Sequence, residues 1–168
     1  PMDMVKVELV EDTGDEWGRN LIRCIKTTSF PPTYHVQSSK EIIEDSNVPC
    51  GWFLRLNNFI IDGSSPSFYF NFYNPTYYTQ NFTGEEVTIS FYLRGNKTFI
   101  FDNGKEIGTE WTKVVITRKW HTSANWHLYI RDSELTTIDI SSIKIEKGST
   151  ATPWTPAPED YANYDYEN

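Results

Sequence analysis

Residues 86–95 read Glu86-Val87-Thr88-Ile89-Ser90-Phe91-Tyr92-Leu93-Arg94-Gly95. Val87, Ile89, Phe91 and Leu93 fall on one side of an extended chain, and Thr88, Ser90, Tyr92 and Arg94 on the other, because successive strand side chains point to opposite faces. This alternation predicts a strand with one face in a core and one in water, closed by Gly95-Asn96. The same period recurs on both sides. Ser67–Tyr73 sets Phe68, Phe70 and Phe72 against Tyr69, Asn71 and Tyr73, and Asn74-Pro75 stops it. Earlier come Val5–Val10, followed by the acidic stretch Glu11–Glu16, then Leu21–Ile25, Gly51–Leu56 and Asn58–Ile61. The turn Asp62-Gly63-Ser64-Ser65-Pro66 separates these from Ser67. Later come Thr98–Asp102, a hairpin turn at Asn103-Gly104, Lys105–Gly108, Trp111–Trp120, Trp126–Arg131 and Thr137–Glu146. Only Ser38–Ser46 reads as helix, one or two polar turns behind a Ser cap. Short strands at regular spacing with turn residues between them predict an all-β chain, an antiparallel sandwich or barrel.

Composition narrows the function classes. The chain has 168 residues, with 15 basic and 23 acidic side chains and a net charge of −8. That balance argues against nucleic acid and against an anionic membrane surface, both of which are bound through Lys and Arg. No apolar run approaches the ~20 residues of a membrane-spanning helix, so no membrane insertion is expected. Six Trp, ten Tyr and ten Phe are more aromatic surface than a core of this size requires. Pro1 precedes Met2, and we read Pro1 as a remnant of tag removal and the chain as a module from a longer protein. Cys24 and Cys50 lack zinc-ligand spacing, leaving two buried thiols or one disulfide.

Catalysis finds little support. There are three histidines, His35, His121 and His127, but no G-x-S-x-G, no H-E-x-x-H and no Gly-rich phosphate loop. Asp132 near Glu134 carries no weight in so acidic a chain. We expect no enzymatic activity. Asn81-Phe82-Thr83 and Asn96-Lys97-Thr98 match glycosylation acceptors and read as coincidental.

After Gly148 the composition changes. The stretch Ile143-Lys144-Ile145-Glu146-Lys147-Gly148-Ser149-Thr150-Ala151-Thr152-Pro153-Trp154-Thr155-Pro156-Ala157-Pro158-Glu159-Asp160 resembles a signature that ends jelly-roll modules in tail and baseplate proteins of phages infecting Gram-positive bacteria. Gly18-Arg19-Asn20-Leu21-Ile22, Val87–Gly95 and Thr109–Thr117 resemble the opening strand, the central strand and the strand preceding the final hairpin of the same modules, in the same order. Residues 23–60 match no part of that pattern. The resemblance implies a two-sheet β-sandwich of jelly-roll, galactose-binding-like type, similar to carbohydrate-binding modules. The corresponding division is a lead-in over 1–17, the sandwich over 18–152, and a Pro-rich then acidic exit tail over 153–168, with Trp154 packing the exit against the sandwich.

The function implied is a non-catalytic carbohydrate-binding module of a phage tail or baseplate. Its partners would be host cell-wall or surface polysaccharide and other phage tail proteins, and its location the virion, acting at the bacterial surface. A tail spacer with no sugar ligand, or a binding module of a secreted wall hydrolase, are the alternatives. A sugar ring offers a patch of C–H groups to a flat aromatic ring and hydroxyls to nearby amides and charges. If Phe68, Phe70, Phe72, Val87, Ile89, Phe91, Leu128 and Ile130 fill the core, the outward set holds Tyr69, Asn71, Tyr73, Ser90, Tyr92, Arg94, His127, Tyr129 and Arg131. Tyr69, Asn71, Tyr73, Tyr92, Arg94 and Tyr129 are the expected groove floor, and Trp120 and Trp126 its wall, with Tyr77-Tyr78 a further candidate. The same outward tyrosines also fit cross-strand pairing with no ligand. No cofactor is required. The resemblance permits one structural Ca2+, for which Asn20, Asp139 and Glu146 supply oxygen.

Overall fold

The computed structural model describes residues 18–71, 74–80, 82, 84–102, 104–120, 126–131 and 134–161, with the Trp126 side chain left out. Val5–Val10, Phe72, Tyr73, His121 and Asp132 lie outside the described residues. The strands are β1 (Thr33–Tyr34), β2 (Val36–Glu44), β3 (Trp52–Ile61), β4 (Ser67–Phe70), β5 (Glu86–Gly95), β6 (Phe99–Phe101), β7 (Lys105–Ile107), β8 (Thr112–Lys119), β9 (Trp126–Arg131) and β10 (Thr137–Lys147). They form two antiparallel sheets, ordered β1-β4-β9-β6-β7 and β2-β3-β10-β5-β8. Setting aside the edge strands β1 and β2, the orders 4-9-6-7 and 3-10-5-8 are those of a jelly roll, in which the chain crosses repeatedly between two sheets. The fold is therefore an all-β, antiparallel two-sheet sandwich. Among the described residues no helix is long and apolar enough to cross a membrane.

Alternation decides the core. Val87, Ile89, Phe91 and Leu93 are fully buried, as are Leu54, Leu56, Ile138 and Ile145 from the neighbouring strands. Phe68, Phe70, Phe99, Phe101, Leu128 and Ile130 come from the facing sheet. The sheets meet where Phe91 of β5 packs edge-on against Phe101 of β6, with ring centroids 5.9 Å apart. Gly95 ends the inner row of β5, and a Cβ there would come within 2.8 Å of Phe99 and 2.9 Å of Leu135.

The helix expected over Ser38–Ser46 is instead β2, laddered to β3 from Val36↔Ile61 to Glu44↔Trp52. Its inward positions include Ser38 and Lys40 as well as Val36 and Ile42, so polar residues on both faces of an edge strand conceal the period. Pairing with β3 overrides the local preference. Leu21–Ile25 forms no strand either. Ile22 makes one isolated bridge to Tyr78, and Leu21 N–H donates to the Ile145 carbonyl.

The lead-in and exit segments close over the outward side of β10. Lys144 and Glu146 point away from the core yet are each 1% exposed. The Lys144 ammonium donates to Thr152 Oγ1 (2.7 Å) and the Pro153 carbonyl (2.8 Å), while Thr152 donates through N–H and Oγ1 to Glu146. Trp154 Nε1 donates to the Ile143 carbonyl, as expected of a residue holding the exit down. Asn20 pins the two segments together. Its Nδ2 donates to the Ile143 and Thr155 carbonyls, and its Oδ1 accepts from Ile22 N–H and Ile145 N–H. Arg19 pairs with Glu159 and Arg23 with Asp160, whose carboxylate also accepts from Cys24 N–H and Ala157 N–H.

Asn20→Ala removes at once the side-chain acceptor of two buried backbone N–H groups, those of Ile22 and Ile145. We expect a loss of about 3 kcal/mol or more, given ~1–3 kcal/mol for each buried group left unsatisfied. Urea denaturation checks this: the midpoint falls, and the slope stays near its wild-type value.

Candidate functional site

The outward face of the β1-β4-β9-β6-β7 sheet carries a cluster of rings. Antiparallel pairing sets Tyr69 directly across from His127, Ser67 from Tyr129, and Tyr34 from Ser67. Ser67 is small and fully buried, so the larger side chains around it close over the gap it leaves. His127 lies at the centre. Its ring is 5.1 Å from Tyr34, 5.3 Å from Tyr69, and 6.2 Å from Tyr129 with planes only 15° apart. A 2.8 Å hydrogen bond between His127 Nδ1 and Ser67 Oγ fixes the imidazole, and the Arg131 guanidinium lies 4.9 Å above the Tyr129 ring. Along β9, His127, Tyr129 and Arg131 succeed one another at the two-residue strand repeat, a row of roughly 13 Å.

Tyr34 is 47% exposed and forms the rim, its ring 4.1 Å from His35. His35 holds a positive φ of 54° and rests on Gly63, where a Cβ would come within 2.2 Å of the imidazole. The Asp62 carboxylate is 3.8 Å from His35 Nδ1. On the other flank the platform drops into a depression of about 220 Å³, lined by Ser29, Phe30, Pro32, Tyr69, Asn71, Asn74 and Tyr77. Phe30 and Tyr77 stack at 4.3 Å to form one wall, and Asn71 Nδ2 reaches Tyr69 Oη at 3.5 Å. Flat rings thus lie beside amides and hydroxyls, the combination that accommodates a ring-shaped polyol.

The arrangement is unsuited to acyl transfer. Ser67 and His127 have the spacing of a nucleophile and its base, but a serine with 0% exposure cannot meet a carbonyl carbon. Among the described residues, the Arg131 guanidinium lies over the Tyr129 ring and the Asp62 carboxylate faces His35.

The residues expected to share one floor do not all share it. Tyr69, Asn71 and Tyr129 are together here. Tyr92 and Arg94 belong to β5, in the other sheet, and face the opposite direction. Arg94 is committed to structure: its Nε donates to Asp139 (2.8 Å), and its guanidinium lies 4.2 Å from the Trp111 ring and 5.1 Å from that of Phe53. Trp120, expected as a wall, is 2% exposed and packs in the core against Phe82 (5.0 Å) and Tyr78 (6.2 Å); Tyr77 and Tyr78 are buried as well. The Trp126 backbone pairs with Phe70 at the end of β9, while Tyr73 lies outside the described residues. Alternation assigns a residue to a face of its own sheet, and the sheet itself is set by the crossover pattern. Tyr34 and His35 escaped the sequence reading because β1 spans only two residues and shows no period.

The trio expected at a metal ion is dispersed. Asp139 and Glu146 are seven residues apart on β10, roughly 20 Å at the strand rise. Asp139 is bound by Arg55 and Arg94, Glu146 by Thr152, and Asn20 by four backbone groups. Among the described residues no three His, Cys, Asp or Glu side chains are placed to hold a metal ion.

No family model and no curated protein matches the chain. Solved structures similar at low identity include two with carbohydrate-binding modules. One is the N-terminal CBM22-1–CBM22-2 tandem domain of Xyn10C from Paenibacillus barcinonensis, at 12% identity and TM-score 0.46, covering 81% of this chain and 47% of that one. The other is the CBM22-1–GH10 modules of the N-terminal endo-1,4-β-D-xylanase 10B of Clostridium thermocellum complexed with xylohexaose, at 14% identity and TM-score 0.48, covering 84% of this chain and 30% of that one. This chain spans less than half the length of either.

Burial, with the neighbouring His35, holds the His127 pKa below the ordinary histidine value. Below about pH 6.5 the unfolded chain takes up a proton that the folded one resists, so this group's contribution to stability declines as pH falls through that value. Between about pH 7 and about pH 5, His127→Gln should lose less melting temperature than wild type, and equal losses would contradict the assignment.

Proposed function

We propose that this protein is a non-catalytic carbohydrate-binding module whose saccharide lies across the outward face of the β1-β4-β9-β6-β7 sheet. The observation that carries this reading is the ring platform of Tyr34, Tyr69, His127 and Tyr129, beside the 220 Å³ depression at Tyr69 and Asn71. One pyranose stacked on a ring removes ~50 Å² of C–H surface from water, about 1 kcal/mol at ~25 cal/mol per Å². A few such stacks with hydrogen bonds from Asn71 and Arg131 favour micromolar-to-millimolar affinity for a short oligosaccharide. On the opposite outward face Arg55 and Arg94 both bind Asp139, and the exit segment covers the β10 side chains beyond them.

The setting we propose is a phage tail or baseplate protein that meets host cell-wall or surface polysaccharide. What supports it is the terminal stretch Ile143–Asp160, which resembles the ending of such tail modules. Weak single-site affinity suits many copies on one particle engaging a repeating polymer, because avidity multiplies it.

Affinity electrophoresis against a panel of bacterial wall polysaccharides tests the reading, with fluorescently labelled protein on host cells as a second measure. Tyr69→Ala or Tyr129→Ala should each weaken retention about 5- to 10-fold, the equivalent of ~1 kcal/mol, with little change in melting temperature. Arg94→Ala should do the reverse, lowering stability by removing one partner of the buried Asp139 while leaving retention unchanged. Retention by no polysaccharide and decoration of no permissive strain would favour a tail spacer instead.

A further inference from the structure

The chain has six arginines, and five of them are committed to carboxylates within the fold. Arg19 pairs with Glu159, Arg23 with Asp160, Arg55 and Arg94 with Asp139, and Arg118 with Asp102. Arg131 is the exception. It is exposed at the end of β9, and among the described residues its guanidinium meets the Tyr129 ring but no carboxylate and no other hydrogen-bond acceptor. A cation left without an anion runs against the composition, which has 23 acidic side chains for 15 basic ones.

Its place decides what it can do. Arg131 follows His127 and Tyr129 at the two-residue strand repeat, so it shares the outward face with the ring platform. The guanidinium carbon lies 4.9 Å from the centre of the Tyr129 ring. Stacking uses the flat face of a guanidinium and leaves the N–H groups around its edge, in the planar fork that matches a carboxylate or a phosphate. Tyr129 thus holds the fork in place, and less side-chain freedom is lost when an anion arrives. The carboxylates of the surrounding elements are engaged or distant. Asp62 accepts from Gln37 at 2.8 Å and faces His35 at 3.8 Å. Asp102, whose N–H donates to the Tyr129 carbonyl, is bound by Arg118. Glu106 of β7 is separated from Arg131 by Ile100 of β6, two strand spacings or roughly 10 Å, about the Debye length at ~0.1 M salt.

We propose that the saccharide is acidic, and that Arg131 receives its anionic group, a carboxylate or a phosphodiester, at the end of the ring platform. The inference rests on the saccharide reading and adds the class of ligand. The row from His127 to Arg131, roughly 13 Å at the strand rise, is longer than one sugar ring, so the rings and the guanidinium contact different units of one chain. Hydroxyls of a neutral sugar also accept from the fork, but charge-assisted hydrogen bonds are about twice as strong. The net charge of −8 repels a polyanion at long range, so preference for an acidic chain falls on this local contact.

Isothermal titration calorimetry with three sets of bacterial wall polysaccharides tests this: neutral, uronate-bearing and phosphodiester-bearing. Acidic polymers should bind about 10-fold or more tightly than neutral ones, and the acidic set that binds identifies the group as carboxylate or phosphodiester. Reduction of the uronate carboxyls to alcohols, or removal of phosphate substituents with hydrofluoric acid, should bring the same loss. Arg131→Gln should reproduce that loss with the melting temperature unchanged. Arg131→Lys should recover part of it, because the charge remains and the fork does not. The ratio of wild-type to Arg131→Gln affinity should shrink between about 20 mM and about 300 mM NaCl. Equal binding of neutral and acidic polymers, or an Arg131→Gln variant that binds acidic polymers as the wild type does, would overturn the inference and leave the saccharide reading standing. Binding of no polymer would overturn both.

Discussion

Lys144 and Glu146 stand on the outward side of β10 with 1% of their surface exposed, and ionisable groups hold such positions only if their hydrogen bonds are met from within the protein. Thr152 meets them, passing a chain of contacts from the lysine ammonium through its hydroxyl to the glutamate carboxylate. Gly18 fits against that hydroxyl in a left-handed conformation (φ 81°), where a Cβ would lie 3.3 Å from Thr152 Oγ1. Asn20 then ties both segments to the β10 backbone. The exit segment, rich in proline and unable to join a central strand, thus acts as the cover of a sheet. Burial of these few polar side chains decides how the two ends of the fold are held.

That cover divides the outward surfaces of the sandwich into two kinds. One sheet has its polar groups spent on one another, in the Arg55–Asp139–Arg94 cluster and under the exit segment. The other presents Tyr34, Tyr69, His127 and Tyr129 with rings in contact but a substantial part of each in solvent. The rings are positioned by the cross-strand register and by one small residue, Ser67, beneath them. Pre-arranged side chains lose less conformational freedom when a ligand settles on them, which is how a shallow site achieves useful affinity.

Much of the fold was legible in the sequence because strand alternation is a local property. Val87–Leu93, Phe68–Phe70 and Leu128–Ile130 bury the residues their period nominated. The reading failed where that period is obscured. β2 carries Ser38 and Lys40 among its inward positions and so resembled a polar helix, and β1 is too short to show any period. Trp120 directly follows β8, before a stretch that the sequence reads as a loop, which suggested an exposed wall; long-range packing against Phe82 and Tyr78 drew it inside. Of the site, Tyr69, Asn71 and Tyr129 were legible, whereas Tyr34 and His35 were not.

What the amino-acid order by itself determined is the two-residue rhythm of the strands, the turns between them and the proline-rich exit, since each depends only on neighbouring side chains and backbone preferences. Which strands share a sheet is another matter. That choice separated Tyr92 and Arg94 from Tyr69 and Tyr129. Tertiary structure alone made it, because strand pairing and sheet stacking are contacts between residues distant in the chain, and no local pattern encodes their partners.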